Sequence, residues 1–195
     1  MKIGILGGSF DPIHKGHIHM AIHAYEQYAL DKIWLIPNGH APHKDEEKMT
    51  DAKHRFAMCN IVVDQYPFME TCDIEIVSEE YSYTYLTMQK LTQRYPEHEF
   101  YFIMGADSLD YFEKWRHPEI ISKLCKLLVV NRDEFTIADM NNKIERINLH
   151  FPAEIQLVHC PKYDVSSTEI RKGQKWDEVL PAVKEYILEN HLYGL

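Results

Sequence analysis

The chain has 195 residues, 45% of them hydrophobic, and a formal net charge of -9 at pH 7. This length and composition suit an ordinary core, so we expect residues 1–195 to form a single domain. The acidic balance argues against a nucleic-acid partner, because contacts with a phosphate backbone require a basic face. Local basic residues must therefore bind any phosphate.

The cysteines and the apolar runs indicate a cellular location. Cys59, Cys72, Cys125 and Cys160 are scattered without a C-x-x-C pair, which indicates neither a zinc site nor a disulfide framework. The N-terminus lacks a basic flank followed by an apolar core, and no run approaches the roughly 20 apolar residues of a membrane span. We therefore expect a soluble, cytoplasmic protein with no membrane partner, whose oligomeric state the sequence leaves open.

Strand-like and helix-like runs alternate along the chain. Strands are predicted at residues 2–6, 32–37, 69–77, 99–104, 126–131 and 154–159. Helices are predicted at residues 16–30, 51–64, about 82–95, 168–172 and 177–190. This alternation predicts an α/β fold with a Rossmann-like, doubly wound parallel sheet and a small C-terminal helical part.

The first strand and first helix are joined by an unusual turn. Residues 4–17 have the sequence Gly-Ile-Leu-Gly-Gly-Ser-Phe-Asp-Pro-Ile-His-Lys-Gly-His. Adjacent glycines let a ligand approach the backbone, and the amides at a helix start favour phosphate. His14 and His17 could both donate hydrogen bonds to one anion. The plainer alternative is a solvent-facing loop with two surface histidines, and the spacing is not that of a dinucleotide fingerprint. The turn supplies the candidates Gly7, Gly8, Ser9, Phe10, His14 and His17.

A second polar run lies near the C-terminus. Residues 166–171 have the sequence Ser-Ser-Thr-Glu-Ile-Arg. Ser166 and Thr168 can cap a helix whose amides face phosphate, and Arg171 adds a forked cationic donor. An ordinary helix cap is the alternative for this run taken alone. Its candidates for phosphate binding are Ser166, Ser167, Thr168 and Arg171.

Other candidates follow the remaining strands, where ligands bind in open parallel sheets. Gly105 could let an adenosine approach, and Asp107 could accept from one of its hydroxyl groups or simply cap a helix. An exposed Trp115, near Tyr111, suits stacking on a flat ring. Three further candidates are Asn38 after the second strand, Lys44 for an acceptor phosphate, and Arg132 for phosphate or adenine. For both Lys44 and Arg132 a solvated surface side chain is the alternative.

The two polar runs resemble the signatures of the nucleotidylyltransferase superfamily, Gly-Gly-Ser-Phe-Asp-Pro-x-His-x-Gly-His and Ser-x-Thr-x-x-Arg. Across nearly the whole chain, further runs are similar to those of bacterial nicotinate-nucleotide adenylyltransferases. They include Ile36-Pro37-Asn38, Pro42-His43-Lys44, His54-Arg55, Ser82-Tyr83-Thr84, Gly105-Ala106-Asp107-Ser108 and Trp115. The resemblance implies transfer of AMP from ATP to nicotinate mononucleotide, giving deamido-NAD and pyrophosphate in NAD biosynthesis.

The same resemblance assigns roles to the candidates. His14 and His17 would contact the reacting phosphates, while Mg²⁺ would arrive with ATP and need no dedicated protein site. The nicotinate ring would lie against Trp115, with its carboxylate on the backbone amides of Thr84 and Tyr85. The other expected ATP contacts are Gly7, Gly8, Ser9, Phe10, Gly105, Asp107, Arg132, Ser166, Ser167, Thr168 and Arg171, and Asn38 and Lys44 complete the nicotinate mononucleotide site.

Two departures and several alternatives stay open at this point. Leu86 stands where the family usually has Asp, and Asp133-Glu134 replaces the usual Pro-Gly after Arg132. The acceptor could instead be nicotinamide mononucleotide or phosphopantetheine. A non-catalytic nucleotide sensor is another alternative. Finally, four closely spaced histidines could form a metal-binding module: His14, His17, His19 and His23.

Overall fold

The computed structural model describes residues 1–40, 49–131 and 135–195. In this part of the chain, six parallel strands form one sheet in the order β3-β2-β1-β4-β5-β6. The strands are β1 (Lys2–Gly8), β2 (Lys32–Pro37), β3 (Met69–Thr71), β4 (Glu99–Gly105), β5 (Lys126–Asn131) and β6 (Ile155–His159). This is the strand order of the doubly wound Rossmann-like fold, so the predicted fold class is confirmed.

Helices connect the strands. They are α1 (Lys15–Tyr28), α2 (Ala52–Val63), α3 (Thr84–Arg94), α4 (Ala106–Leu109), α5 (Pro118–Leu124), α6 (Ile137–Asn148), α7 (Ser167–Arg171) and α8 (Pro181–Glu189). Short 3₁₀ turns occupy Phe112–Lys114, Trp176–Glu178 and Leu192–Gly194. Within the described ranges, no helix combines the length and apolar character that crossing a lipid bilayer requires.

The described chain forms two compact units. The first unit comprises Met1–Leu6, Met20–Ile33 and Tyr83–Lys162, and the second comprises Gly7–His19, Trp34–Ser82 and Tyr163–Leu195. In the first unit, β4 pairs with β1 and β5, and β5 pairs with β6. The β5 residues Leu127 and Val129 are fully buried, as expected for a strand whose two faces are covered.

In the second unit, α2 packs against β3 and α8. The helix α2 begins after Asp51, whose carboxylate accepts a hydrogen bond from the Lys53 backbone N–H at 2.9 Å. Asp51 is therefore the N-cap of α2. Met58 and Val62 of α2, with Val183 and Ile187 of α8, are buried in the core of this unit.

The structure corrects two predicted elements and adds two helices that were not predicted. The strand predicted at residues 69–77 ends at Thr71, because the backbone N–H groups of Ile76 and Val77 donate to the Asp73 carbonyl and form a turn. The helix predicted at 177–190 begins only at Pro181, which favours the first helical position. The helices α5 and α6 were missed, although Thr136 and Asp139 form a capping box that marks the start of α6.

Candidate active site

The turn between β1 and α1 is buried. Phe10, Asp11 and His14 are 1%, 4% and 6% exposed, so the alternative of a solvent-facing loop is wrong for these residues. Phe10 has a φ of 49°, a left-handed conformation that is costly for a bulky side chain. The surrounding contacts must therefore hold residues 9–12, which we call the motif loop.

The two candidate histidines lie together at the start of α1. Their rings stack with centroids 3.8 Å apart and an angle of 24° between the planes. The backbone N–H of His14 donates to Nδ1 of His17 at 3.2 Å. Because Nδ1 accepts this bond, a neutral His17 ring carries its proton on Nε2, where it can donate to an anion.

Neighbouring residues fix the orientation of both rings. The Phe10 ring meets the His17 ring edge-on, with centroids 5.1 Å apart. A Cβ at Gly16 would lie 3.0 Å from Nδ1 of His14 and 2.8 Å from Cγ1 of Val165, so only glycine fits there without displacing the His14 ring or Val165. The spacing His-x-Gly-His therefore has a packing reason in addition to its chemistry.

The C-terminal run packs directly on the motif loop within the second unit. The Ser167 hydroxyl donates to the Pro12 carbonyl at 2.9 Å, and Arg171 Nη1 donates to the Asp11 carbonyl at 2.6 Å. Two runs that lie about 150 residues apart in sequence therefore form one structural cluster. This contact is what a shared phosphate-binding role requires.

The helix α7 is capped by one of the two predicted residues. The Ser166 hydroxyl accepts from the Glu169 backbone N–H at 3.3 Å, and Glu169 accepts from the Ser166 N–H and hydroxyl. The Ser166 side chain holds the pKa of Glu169 below its usual value. Thr168 is not a cap, because it lies inside α7 and accepts from Arg171 Nη2 at 3.3 Å.

Arg55, which is not among the candidates predicted from the sequence, joins several segments of the site through hydrogen bonds. It is 1% exposed and donates to four oxygen atoms: the carbonyls of Thr50, Ser9 and Asn38, and Oδ1 of Asn38, at 2.7–2.9 Å. Burial lowers the pKa of its guanidinium, while Asp11 opposes that shift. Its one sequence signal was its place in the His54-Arg55 pair.

Asn38 joins this cluster through its own side chain. Its Nδ2 donates to Ser9 Oγ at 3.4 Å, and its backbone N–H donates to the Gly8 carbonyl at 2.9 Å. Asn38 is half-buried. In the second unit the structure therefore brings together these predicted site residues: Gly7, Gly8, Ser9, Phe10, His14, His17, Asn38, Ser166, Ser167, Thr168 and Arg171.

The predicted residues Gly105, Asp107 and Trp115 belong to the first unit. Gly105 ends β4 and is the N-cap of α4, so Asp107 is not the cap; it lies exposed in the first turn. Trp115 is half-buried rather than exposed, because it packs against Phe112 and edge-on against Phe102. The exposed aromatic ring here is Tyr111, at 59% exposure.

Thr84 and Tyr85 are the first two residues of α3, also in the first unit. The first amides of a helix have no acceptor within the helix, which suits them to a carboxylate ligand. The next two amides, of Leu86 and Thr87, donate to the Tyr83 carbonyl. With Leu86 in place of the family's Asp, the first turn of α3 carries no acidic side chain.

Three sequence features lie outside the described residues. They are the candidates Lys44 and Arg132 and the departure at Asp133-Glu134. The roles expected for these side chains stay predictions.

Comparisons with known proteins place this fold and these motifs in a class. Residues 5–173 match the family model described as cytidylyltransferase-like. The Plasmodium falciparum nicotinic acid mononucleotide adenylyltransferase complexed with APC has a similar fold, with a TM-score of 0.77 at 23% identity. That similarity covers 99% of this chain and 97% of the other. The fold and the motifs are therefore those of a nucleotidyltransferase.

Curated relatives narrow the class. The Bacillus subtilis nicotinate-nucleotide adenylyltransferase is 36% identical, covering 98% of each chain. A Shewanella pealeana protein named "Probable nicotinate-nucleotide adenylyltransferase" is 40% identical, covering 99% of this chain and 96% of its own. The chain belongs to the nicotinate-nucleotide adenylyltransferase family, which confirms the resemblance and the enzyme class predicted from the sequence.

Proposed function

We propose that this chain transfers the AMP group of ATP to nicotinate mononucleotide, giving deamido-NAD and pyrophosphate. The observation that carries the proposal is the stacked His14–His17 pair at the start of α1, which follows a motif loop held by the second signature motif. A curated relative that is named for this activity, and that aligns with this chain over 98% of each length, supports the proposal. A histidine-rich metal module would give no reason for the contact between the two motifs.

The reaction is an in-line displacement at the α-phosphorus of ATP. A phosphate oxygen of nicotinate mononucleotide forms the new P–O bond, and the bond to the bridging oxygen of the β-phosphate breaks. No protein nucleophile is needed, because positioning and neutralisation of charge supply most of the rate. His17, whose Nε2 proton is set by the His14 amide, donates to the phosphate oxygens as they gain charge.

The remaining second-unit residues would hold the triphosphate. Gly7 and Gly8 leave the backbone open to it, beside Ser9 and Phe10. The guanidinium of Arg171 would donate Nη2 to a phosphate oxygen in place of Thr168. Ser166 and Ser167 would lie beside that phosphate. Both oxygens of Asp11 already accept hydrogen bonds, from Tyr193 and from the Thr50 amide. Magnesium would therefore enter bound to ATP as part of the substrate.

The expected contacts of the acceptor are those that the family resemblance implies. We assign the carboxylate of nicotinate to the first amides of α3, at Thr84 and Tyr85, and its ring to Trp115. Asn38 and Lys44 would contact nicotinate mononucleotide. Gly105, Asp107 and Arg132 would contact the adenosine or phosphates of ATP. The single-domain organisation and the cytoplasmic location stay predictions.

A substrate comparison tests the proposal. Purified protein with Mg²⁺ and ATP is given nicotinate mononucleotide, nicotinamide mononucleotide or phosphopantetheine, and pyrophosphate release is followed. We expect the highest kcat/KM with nicotinate mononucleotide, because the α3 amides favour a carboxylate over a neutral amide. A preference for either other acceptor would contradict the proposal. The His17→Ala protein, prepared in parallel, controls for contaminating enzymes.

A further inference from the structure

The motif loop is held by hydrogen bonds from several separate segments of the second unit. Arg55 donates to the Ser9 carbonyl, and Ser167 donates to the Pro12 carbonyl. Asp11 accepts through three oxygen atoms: its carbonyl from Arg171, Oδ2 from the Thr50 amide, and Oδ1 from the hydroxyl of Tyr193. Tyr193 is the one side-chain donor in this set that lies outside both signature motifs and the other family-like runs named above.

Tyr193 lies in the 3₁₀ turn Leu192–Gly194, two residues before Leu195. Its hydroxyl donates to Oδ1 of Asp11 at 2.7 Å. Burial, with the Asp11 charge as the next cause, raises the pKa of this hydroxyl, which keeps it a protonated donor. The backbone of Tyr193 has a φ of 63°, which is left-handed. This conformation costs a bulky residue free energy and persists only where contacts hold it.

Asp11, which accepts the hydrogen bond from Tyr193, lies close in sequence to the candidate catalytic histidines His14 and His17. Asp11 follows Phe10, whose own backbone is left-handed and whose ring edge meets His17. A change in the position of Asp11 would therefore move Phe10, and with it the surface against which the His17 ring is oriented. Displacements of about 1 Å at a reacting centre can cost up to roughly a hundredfold in rate.

We propose that Tyr193 is a positioning residue: its hydroxyl holds Asp11, and through the motif loop it fixes the orientation of the His17 ring for adenylyl transfer. The expected change in kcat rests on the proposed function, whereas the positioning of His17 does not. The orientation of His17 is a property of the protein without substrate.

The kinetic test compares Tyr193→Phe with Tyr186→Phe. Tyr186 is a suitable control because its hydroxyl also makes one hydrogen bond in the second unit, to Nδ1 of His54 at 2.8 Å. We expect Tyr193→Phe to lower kcat about tenfold while KM for ATP changes less than about twofold. Tyr186→Phe should leave kcat unchanged. Equal losses of kcat in both variants would overturn the inference, since a merely structural role predicts them.

A second readout does not depend on activity. In ¹H–¹³C spectra of the protein without ligand, Tyr193→Phe should shift the ring signals of His14 and His17, and Tyr186→Phe those of His54. If wild-type protein fails to use nicotinate mononucleotide but the His17 signal still moves, the proposed function fails and the positioning role stands. A folded Tyr193→Phe protein with an unmoved His17 signal contradicts the positioning role.

Asp11→Ala provides a second variant, which removes the oxygen that accepts from Tyr193. We expect it to reproduce the loss of kcat and the shift of the His17 signal. Adding Tyr193→Phe to it should cause no further loss, because the two residues act through one contact. Fully additive losses in the double variant would overturn the inference. Normal kcat in Asp11→Ala would overturn it too, and that result can be obtained even if Tyr193→Phe does not fold.

Discussion

Two polar clusters of this protein differ in how far their charged groups are exposed to solvent. Around the motif loop of the second unit, Arg55 and Asp11 are almost fully buried, and both are hydrogen-bonded at several atoms. In the first unit, Lys126 forms ion pairs with Glu99 at 2.7 Å and Glu154 at 3.3 Å, but its side chain is 30% exposed and theirs are 45% and 68% exposed. Distance alone does not distinguish the two clusters.

The difference lies in solvation. Removing one partner from a buried cluster leaves the other charge or carbonyl without water, so the loss is large. Water replaces a lost partner in an exposed pair, and salt screens what remains. The carboxylates raise the pKa of Lys126, yet this shift translates into little stability because the group is exposed. The buried cluster, in contrast, fixes the motif loop that precedes the two candidate catalytic histidines.

The largest effect is expected at Arg55. Arg55→Leu leaves the carbonyls of Ser9, Thr50 and Asn38 without their donor and Asp11 without its nearby cation. The free energy of unfolding, measured by urea denaturation, should fall by about 3–5 kcal/mol. The exposed Arg94 is the control, because Arg94→Leu should change the stability by less than about 0.5 kcal/mol. Similar losses for the two arginines would remove the distinction between the clusters.

The next effect is on the rate rather than on stability. If His17 is the proposed donor to the transition state, His17→Ala should lower kcat roughly a hundredfold, equivalent to about 2.7 kcal/mol of activation free energy. Thermal melting should show an intact fold. His150, which pairs with Glu113 on an exposed surface of the first unit, is the control. Its replacement by Ala should leave kcat unchanged, and near-normal kcat in a folded His17→Ala protein would exclude the catalytic role.

An intermediate effect is expected at Asp51, which is exposed but caps α2. Asp51→Ala should cost about 1 kcal/mol of unfolding free energy at neutral pH. The Lys53 amide lowers the pKa of Asp51 below its ordinary 3.8, so the carboxylate stabilises the fold above that value. This contribution is lost as the pH falls through the folded-state pKa. Denaturation of wild type and variant over a pH series should show the difference shrinking in acid; a constant difference would contradict the cap's charge dependence.

The smallest effect is expected at Lys126. Lys126→Met keeps most of the apolar stem and removes the charge that Glu99 and Glu154 face. The free energy of unfolding should fall by less than about 1 kcal/mol at low salt, and the difference should vanish at high salt. Urea denaturation at two salt concentrations measures this. A loss as large as that for Arg55→Leu, independent of salt, would show that exposure does not separate the two clusters.

The sequence predicted the sheet well for a physical reason. Parallel strands such as β2 and β5 are continuous apolar runs between turns, and their predicted bounds match the structure. The strand predicted at 69–77 was wrong beyond Thr71, because a turn at Asp73 replaces the ladder. A Cβ on Gly39 would collide with the Glu75 carbonyl, so the backbone approaches closely there. Local alternation cannot reveal that tertiary contact.

The site was predicted as separate motifs, but its assembly was not. Residue spacing and the family resemblance together made His14, His17 and the run at 166–171 candidates for phosphate binding. They gave no sign that Arg55 and Tyr193 meet at the motif loop, since these contacts join residues 46 and 182 positions apart in sequence. Trp115 is likewise half-buried because it packs against Phe102 and Phe112. The residues next to Trp115 in sequence do not predict its contact with Phe102.

A structure of the protein with a non-hydrolysable ATP analogue and Mg²⁺ tests the role of the two histidines most directly. We expect Nε2 of His17 within hydrogen-bond distance of an oxygen on the α- or β-phosphate, with the His14 ring still stacked on it. Arg171 should also reach the triphosphate. A fully bound analogue with both imidazole rings turned away from its phosphates would contradict the account.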